Sequence, residues 1–273
     1  MTVNQYLLDA TRKLEQAGVG TARLDALVLL EDITGHDRSH LLANPDIQIS
    51  TAQDAKLTKL LSRRAKHIPL AYIRGTTEFY GKNFVITPAV LEPRPESETM
   101  IELLTTLPNL PQNARLADVG TGSGALGIIA KLNHPNWSVE LLEIDENALK
   151  IAQMNVDKYT MDTSVIRSDL LSESKQDNDV LLCNLPYVPD GYQINTAASH
   201  EPSIAIFGGP DGLAVYRKLF EQLRGVAKRP LYLLFESLPP QHAALEKLAS
   251  SEGYELRVEE DFIQVFELKQ NRS

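Results

Sequence analysis

The sequence predicts an α/β protein in which a small helical domain and a β-hairpin precede a seven-stranded sheet flanked by helices. Three patterns support this prediction. Apolar residues recur at helical spacing up to about residue 70, short apolar runs alternate with amphipathic helices after Pro93, and only Glu260-Asp261 separates the last two apolar runs. Alternating strands and helices are typical of βαβ units, whereas so short a connection leaves no room for a crossover helix. The last two strands are therefore expected to pair antiparallel.

The composition is that of an ordinary folded protein of one or two domains. Of the 273 residues, 43% are hydrophobic, and 27 basic against 36 acidic side chains give a net charge of −9. Such acidity argues against a large nucleic-acid footprint, which relies on clustered Lys and Arg. The single cysteine excludes an internal disulfide, and no apolar run reaches the roughly 18 residues of a membrane span. We therefore expect a cytoplasmic monomer with no direct contact to nucleic acid or membrane.

Residues 1–74 are predicted to form the helical domain. Two stretches with apolar residues at helical spacing end at glycines, and a third helix is predicted over 51–67, where Pro69 interrupts the pattern. Residues 75–90 are expected to form a β-hairpin linker, because β-rich segments flank a turn that contains Gly81.

Residues 91–273 are predicted to form the catalytic α/β domain. Strands are expected at about 115–119, 138–143, 164–167, 179–183, 230–235, 254–259 and 262–268. Helices are expected near 95–106, 124–133, 146–157, 211–226 and 240–250.

A glycine loop is predicted to bind a nucleotide-like cofactor where the first of these strands turns into a helix. The loop reads Gly120-Thr121-Gly122-Ser123-Gly124. Glycine allows positive φ and close approach of the backbone to a ligand, and a helix amino terminus favours a carboxylate such as that of a methionine moiety. The loop by itself also fits another nucleotide, such as a nicotinamide dinucleotide.

Acidic residues follow the next strands. Glu143 ends a strand about 20 residues beyond Gly120, near the spacing at which an acidic side chain accepts hydrogen bonds from ribose hydroxyls. Asp145 begins the following helix and is expected to cap it. Asp169 follows the third strand, where an acceptor for an adenine amino group and a turn residue are equally good interpretations.

The segment Asn184-Leu185-Pro186-Tyr187 is the predicted catalytic loop. It follows a buried strand, so it leaves the sheet at the edge where open α/β sheets bind ligands, beside the predicted cofactor site. The Asn184 side-chain oxygen and the Leu185 carbonyl can each accept one N–H of a planar amide, which orients the amide and stabilises the positive charge that develops on attack. Tyr187 can pack on the amide, and Pro186 stiffens the loop. The pattern therefore favours methylation of a planar nitrogen.

Cysteine and histidine are not expected to take part in the chemistry. Cys183 lies inside an apolar strand without a neighbouring histidine and is predicted to be a core residue. The six histidines lack metal-ligand spacing, so no metal is predicted.

A series of motifs spans nearly the whole chain. They are Arg63-Arg64-Ala65, Pro69-Leu70-Ala71-Tyr72-Ile73, Glu78-Phe79-Tyr80-Gly81, Pro93-Arg94-Pro95-Glu96-Ser97-Glu98, Asp118-Val119 with the glycine loop, Asn184 to Tyr187, Glu201-Pro202, Gly208-Gly209-Pro210-Asp211-Gly212-Leu213 and Tyr216-Arg217. Together they resemble the HemK/PrmC family of glutamine methyltransferases, which modify peptide-chain release factors. The resemblance is more specific than any single motif.

The resemblance implies a class I S-adenosylmethionine-dependent methyltransferase fold, which is Rossmann-like with a seven-stranded sheet. It implies S-adenosyl-L-methionine as cofactor, with S-adenosyl-L-homocysteine as product, and the glutamine of the release-factor GGQ motif as substrate. The helical domain is then expected to help dock the release factor. The cofactor residues are expected to be Gly120, Thr121, Gly122, Ser123, Gly124, Glu143, Asp169 and Asn184, and the substrate residues to be Asn184, Leu185, Pro186, Tyr187 and Arg94.

Two positions depart from the family pattern. Leu185 occupies the first proline position of the usual Asn-Pro-Pro-Tyr, which leaves its carbonyl available but no longer locks its φ. Glu92 replaces a usually apolar residue and is either a substrate contact or, as we favour, a solvated edge. Arg94 shapes the pocket or begins a helix with Pro95, and Glu201 supports the catalytic loop or is a surface charge.

Other activities stay open as alternatives. One is methylation of the exocyclic amine of adenine in nucleic acid, which uses a similar loop but is disfavoured by the net charge of −9. Another is glutamine methylation of a ribosomal protein, whose enzymes carry a different sequence in place of Pro93-Arg94-Pro95-Glu96. The third is a release-factor binding module that has lost catalysis through Leu185.

Overall fold

The computed structural model describes residues 1–194, 196 and 198–269, and the chain divides into two compact units. One, here called the helical unit, comprises Met1–Thr76 with Asn195–His200; the other, the sheet unit, comprises Thr77–Ile194 with Glu201–Ser273. The predicted domain limits after residues 74 and 90 stay predictions. The last four positions of the predicted catalytic domain, 270–273, lie outside the described residues.

Among its described residues the helical unit contains five α-helices whose apolar faces form one core. The helices are α1 (Val3–Gln16), α2 (Ala22–Thr34), α3 (Arg38–Ala43), α4 (Thr51–Arg64) and α5 (Leu70–Arg74). Thr2 and Ser50 close capping boxes at the starts of α1 and α4, which satisfies backbone N–H groups that have no partner within the helix. The predicted helix over 51–67 ends earlier, at Arg64. The short helices α3 and α5 were not predicted, because so few residues show no periodicity.

A buried ion pair explains one of the sequence motifs. Arg64 Nε donates to Asp25 Oδ2 at 2.6 Å, and its Nη1 donates to the Ile68 carbonyl at 3.1 Å. The Asp25 side chain is almost fully buried, and a buried carboxylate requires such a partner. Arg64 thus joins α2 to the segment that follows α4.

The predicted hairpin is present as β1 (Thr76–Phe79) and β2 (Lys82–Val85), which pair with each other. Its two turn residues have positive φ, 50° at Tyr80 and 67° at Gly81, as the tightest hairpin turns require. The Tyr80 backbone N–H donates to Glu98 Oε1 at 2.8 Å, which anchors the turn within the sheet unit.

Beyond the hairpin, the part of the sheet unit that the structure describes contains seven strands and five α-helices. The strands are β3 (Arg115–Val119), β4 (Ser138–Glu143), β5 (Ser164–Arg167), β6 (Val180–Cys183), β7 (Tyr232–Glu236), β8 (Tyr254–Glu260) and β9 (Ile263–Leu268). The helices are α6 (Glu98–Thr105), α7 (Ala125–Asn133), α8 (Glu146–Lys158), α9 (Ala214–Leu223) and α10 (His242–Ser251).

The strand order is β5-β4-β3-β6-β7-β9-β8, with β9 antiparallel to β7 and β8 and the other neighbours parallel. The predicted seven-stranded α/β fold and its terminal antiparallel pair are confirmed. From β3 the chain adds β4 and β5 on one side, and it then returns to add β6 and β7 on the other side of β3. The topological switch point therefore lies between β3 and β6. Open α/β sheets bind ligands outside the carboxyl ends of the strands at such a point.

Each face of the sheet carries its own apolar core. One centres on Leu116, Leu141 and Leu182 with α6 and α7, and the other on Leu181 and Leu233 with α9. Cys183 is fully buried in the second core, so its predicted role as a core residue is confirmed. No helix within the described ranges combines the length and apolar character needed to cross a membrane.

Candidate active site

Strand register brings four chain segments together at the carboxyl edge of the sheet. Val119 pairs with Leu142 on one side and with Cys183 on the other, and Cys183 pairs in turn with Phe235. The residues that follow these positions are Gly120, Glu143, Asn184 and Glu236. The predicted cofactor loop, the ribose candidate and the catalytic loop are therefore neighbours, and Glu236 adjoins the catalytic loop.

The glycine loop has the backbone geometry that its sequence predicts. Gly120, Gly122 and Gly124 have φ of 69°, 55° and 84°, a region that residues with a Cβ rarely adopt. A Cβ built on Gly122 would meet no protein atom, so the space beside this backbone is free for a ligand. Gly124 leads directly into α7, whose amino terminus offers N–H groups and positive potential.

Glu143 holds the glycine loop through backbone hydrogen bonds. Its Oε2 accepts from Gly122 N at 2.9 Å, and its Oε1 accepts from Ile144 N at 2.8 Å and from Asp145 N at 3.0 Å. A carboxylate has about four lone-pair positions, which leaves capacity for a further donor. The Asp145 side chain accepts from the backbone of Asn147 and Ala148 at the start of α8, so its predicted capping role is confirmed.

Two buried polar residues that sequence reasoning did not single out also support the loop. Asp118 Oδ2 accepts from Thr121 Oγ1 at 2.5 Å and from Gly127 N at 2.9 Å, and burial raises the pKa of Asp118 to about 6. The Asn155 amide donates to the Ser123 carbonyl at 2.8 Å, while its oxygen accepts from Val85 N at 2.7 Å. The first contact ties β3 to α7, and the second ties the loop to the hairpin.

A cavity of about 270 Å³ opens between the glycine loop and the catalytic loop. Of the predicted site residues, nine line it: Gly120, Thr121, Gly122, Ser123, Glu143, Asp169, Asn184, Leu185 and Pro186. The other three predicted site residues, Gly124, Tyr187 and Arg94, are all described by the structure but do not line the cavity. Gly124 shapes the loop, and Arg94 and Tyr187 directly follow the lining residues Pro93 and Pro186.

Asp169 lies on the cavity wall in an ion pair with Lys218, and both side chains are about half exposed. Lys218 contacts one carboxylate oxygen, so the Asp169 carboxylate retains lone pairs for a further donor. Asp169 therefore keeps both of its interpretations, as a turn residue and as an acceptor for a ligand amine.

A hydrogen-bonded network lies beneath the catalytic loop. Asn184 Nδ2 donates to Ser97 Oγ at 3.1 Å, Ser97 Oγ donates to Glu236 Oε2 at 2.5 Å, and the Tyr187 hydroxyl donates to Glu236 Oε1 at 3.1 Å. Only 1% of Glu236 is exposed, and this burial raises the pKa of its carboxyl, against the interactions with Ser97, Tyr187 and, more weakly, the Asn184 side chain itself. The sequence offered one signal for Glu236, an acid directly after an apolar strand.

A second loop supports the catalytic loop by close backbone packing. A Cβ on Gly208 would lie 2.2 Å from the Pro186 carbonyl oxygen, and one on Gly212 would lie 2.0 Å from that of Tyr187. Gln241 Nε2 donates to the same Tyr187 oxygen at 2.8 Å. The glycines of the motif at 208–212 are thus required by contact with the catalytic loop.

Arg94 and Glu201 form a two-pronged ion pair. Arg94 Nη2 donates to both Glu201 oxygens, at 2.7 and 2.6 Å. Burial raises the pKa of Glu201, and the Arg94 guanidinium opposes that shift. Glu201 is therefore more than a surface charge. Glu92 is also not simply solvated, because its Oε1 accepts from Thr77 Oγ1 at 3.0 Å.

The matches to family models and to individual relatives indicate the same protein family. Residues 5–75 match the family model described as the PrmC N-terminal domain, and residues 97–201 match the methyltransferase small domain. The release factor glutamine methyltransferase of Coxiella burnetii is 34% identical over 86% of this chain and 85% of its own length. This chain belongs to the release factor glutamine methyltransferase family. A family member from Koribacter versatilis is likewise 34% identical, over 82% of this chain and 81% of its own.

Solved structures agree on the fold of this family member. The hMettl16 catalytic domain in complex with an RNA hairpin has a TM-score of 0.58 at 14% identity and covers 86% of this chain and 94% of its own. The 16S rRNA methyltransferase of T. thermophilus, in complex with AdoMet and guanosine, has a TM-score of 0.50 at 16% identity, covering 71% and 50%. At this identity the likeness shows the methyltransferase fold alone.

The departure from the family loop pattern at Leu185 has a structural counterpart. The Leu185 side chain is 2% exposed, and its Cδ2 lies 2.9 Å from the position that a Cβ on Gly120 would take. A leucine therefore fills the space above the bare Gly120 backbone. Packing against the glycine loop replaces the φ restriction that a proline would supply.

Across the described residues, no group of three or more His, Cys, Asp or Glu side chains is arranged to hold a metal ion.

Proposed function

We propose that this protein transfers a methyl group from S-adenosyl-L-methionine to the side-chain amide nitrogen of the glutamine in the GGQ motif of peptide-chain release factors. The observation that carries the proposal is the Asn184 amide, which lines the cavity beside the glycine loop while its nitrogen is bound to Ser97. Its oxygen remains to accept an N–H from an incoming amide. The relatives' shared name favours a release factor over a ribosomal protein or nucleic acid as substrate.

The cavity wall has the groups that the methyl donor requires. The bare backbone of Gly122 and the amino terminus of α7 fit a carboxylate, and Glu143 fits ribose hydroxyls. Asp169, which lines the same cavity, is the candidate acceptor for an adenine amino group. When bound, the donor supplies an electrophilic methyl group, and the acceptor nitrogen must approach it from the catalytic loop.

The catalytic loop would act by orientation and electrostatics. An amide nitrogen is a weak nucleophile because its lone pair is delocalised. As the N–CH3 bond forms, the S–CH3 bond of the sulfonium would break and leave S-adenosyl-L-homocysteine, and the positive charge that develops on the nitrogen would be discharged by loss of one N–H proton to water. The Asn184 side-chain oxygen and the Leu185 carbonyl each accept one N–H, which holds the amide in place and stabilises that charge. Tyr187 and Pro186 complete the substrate site.

The helical unit is proposed to dock the release factor, and Arg94 to shape the substrate side of the site through Glu201. The match of residues 5–75 to the PrmC N-terminal domain supports the docking role of the helical unit. A release-factor substrate also suits a cytoplasmic monomer that binds protein and makes no direct contact with nucleic acid.

The test is methyl transfer from labelled donor to purified release factor. We expect Asn184→Ala to lower kcat by about 100-fold or more, the scale at which one preorganised polar contact acts. Donor affinity, measured by calorimetry, should stay within about threefold, because Asn184 is one of many residues that line the donor cavity but one of only two proposed acceptors for the substrate amide. If wild-type protein binds the donor but leaves the release factor unmodified, the substrate is wrong. An equal loss of donor binding and turnover in Asn184→Ala would contradict the division of roles.

A further inference from the structure

Glu236 is buried beneath the catalytic loop and is not among the residues that line the cavity. We propose that Glu236, acting through Ser97, fixes which end of the Asn184 amide faces the substrate. Glu236 is thus a positioning residue for methyl transfer. The inference rests on the proposed function, since it concerns the same amide site.

The hydrogen bonds of the network run in one direction. An ionised carboxylate can only accept, so Ser97 must donate its one hydroxyl hydrogen to Glu236, at 2.5 Å. The Ser97 oxygen can then only accept, and the group that donates to it is Asn184 Nδ2, at 3.1 Å. The amide oxygen of Asn184 is bonded to the same carbon as this nitrogen and therefore points away from Ser97.

The orientation matters because the two ends of an amide have the same shape but opposite hydrogen-bonding roles. With its oxygen toward the substrate, Asn184 accepts an N–H of the glutamine amide. With its nitrogen there, two donors would face each other, and the charge that develops on the substrate nitrogen would lose its acceptor. Shape alone cannot prevent this flip, so a directional hydrogen bond is required.

The second carboxylate oxygen of Glu236 is also occupied. The Tyr187 hydroxyl donates to Oε1 at 3.1 Å, and the Tyr216 hydroxyl donates to the Glu236 main-chain oxygen. The residue is thus held at both oxygens and at its backbone. A carboxylate in this position receives donors from the catalytic loop and from Ser97, and it gives none.

Substituting Glu236→Gln provides the decisive variant. The glutamine Nε2 can donate to Ser97 Oγ, which frees the Ser97 hydroxyl to donate to the Asn184 oxygen and so stabilises the flipped amide. We expect kcat to fall by about 100-fold. Ser97→Ala removes the relay but leaves the weaker direct interaction of Asn184 with the Glu236 carboxylate, which still favours the nitrogen of Asn184 on that side, so a smaller loss of about tenfold is expected. KM for the release factor and donor affinity should stay within about threefold in both.

The order of the two losses, with Glu236→Gln more severe than Ser97→Ala, distinguishes a positioning role of Glu236 from a merely structural one. If Glu236 only supports the fold, the nearly isosteric Glu236→Gln should be milder than Ser97→Ala. In the double variant Ser97→Ala with Glu236→Gln there is no hydroxyl to reverse, so kcat should rise from that of Glu236→Gln toward that of Ser97→Ala. A double variant that loses the product of the two single losses overturns the proposal, as does a Glu236→Gln protein with at least half of the wild-type kcat.

A matched control is Glu140→Gln. Glu140 is a buried glutamate near the start of β4, hydrogen-bonded by Asn178 and the Lys175 backbone, away from the catalytic loop. Its variant should lose thermal stability but keep the wild-type kcat. If Glu236→Gln does not fold, Ser97→Ala alone decides, and a wild-type kcat in that variant overturns the proposal.

Neutron diffraction shows the orientation of the Asn184 amide without any need for turnover. Failure of the positioning proposal can therefore be distinguished from failure of the proposed function. In wild-type crystals the deuterated nitrogen of Asn184 should face Ser97, and in Glu236→Gln crystals its oxygen should do so. The same orientation in both proteins overturns the proposal even if the wild type does not methylate a release factor.

Discussion

At the scale of single residues, the site depends on buried polar groups that hold the loops around the cavity. Asp118, Asn155 and Glu236 are all buried, and each is hydrogen-bonded to a loop that borders the cavity. Buried polar groups without partners are costly, so such contacts are stabilising as well as orienting.

The Glu236 network predicts a pH dependence. Protonated Glu236 becomes a donor and can reverse the Ser97 hydroxyl, so kcat should fall as pH decreases through its pKa. Burial raises that pKa, and the charge of Glu96 raises it further, so the fall should lie above the ordinary range of glutamate. The neighbouring Tyr187 and Tyr216 stay neutral there, because burial raises their pKa values as well.

The measurement is kcat against pH for three proteins. Glu96→Gln removes a negative charge near Glu236 and should move the fall to lower pH, while Glu236→Gln should abolish it. Asp118, whose pKa is raised to about 6, could produce a similar fall, but Glu96 is not among the groups that shift it. An unmoved profile in Glu96→Gln together with a retained fall in Glu236→Gln would show that another group is titrating.

Some residues were recognisable from the sequence and others were not. The glycine loop, Glu143 and the catalytic loop follow strands within short segments, so local pattern places them. The pairing of Asn184 with Glu236 depends on β6 lying beside β7, a neighbour relation over some fifty residues that no local pattern reveals. Glu201 and Arg94 are farther apart still, and their ion pair could not be deduced.

At the scale of elements, the catalytic loop is shaped by the loop at 208–212. The predicted helix near 211–226 instead begins at Ala214, because Gly208 and Gly212 are used for backbone contact with Pro186 and Tyr187. Elements with strong periodicity were predictable. The packing of the loop at 208–212 on the catalytic loop was not predictable, because the sequence shows only a glycine motif there and not the backbone that it contacts.

Gly208→Ala tests this packing. Its Cβ would lie 2.2 Å from the Pro186 oxygen, which no real contact permits, so the catalytic loop must move. Because Gly208 is not among the positive-φ glycines, the effect is steric. We expect kcat to fall by about 100-fold, the cost of displacing oriented groups by about 1 Å, with donor affinity little changed. Steady-state kinetics and calorimetry measure the two effects.

The control is Gly225→Ala. The nearest atom to its Cβ would be the Gln222 oxygen at 3.5 Å, an ordinary contact, and the residue lies at the end of α9. Wild-type kcat is expected there. If Gly208→Ala also keeps the wild-type kcat, the catalytic loop does not depend on this contact.

At the scale of the whole molecule, the chain joins a helical unit to a methyltransferase sheet. Length, alternating pattern and the final short connection were enough to predict the architecture, because these features reflect the core of each unit. The substrate could not be predicted from the fold, since similar sheets act on RNA in the solved structures. The choice of a release factor depends on the family and on the amide-binding loop.

The central claim is that the methyl group goes to one glutamine side chain. Release factor is incubated with this protein and the donor, digested, and its GGQ peptide is fragmented in a mass spectrometer. The account predicts one added methyl group on the side-chain amide nitrogen of the glutamine, and none in a release factor in which that glutamine is replaced by alanine. A methyl group on any other residue, or an unmodified peptide from an assay in which the donor is bound, would contradict it.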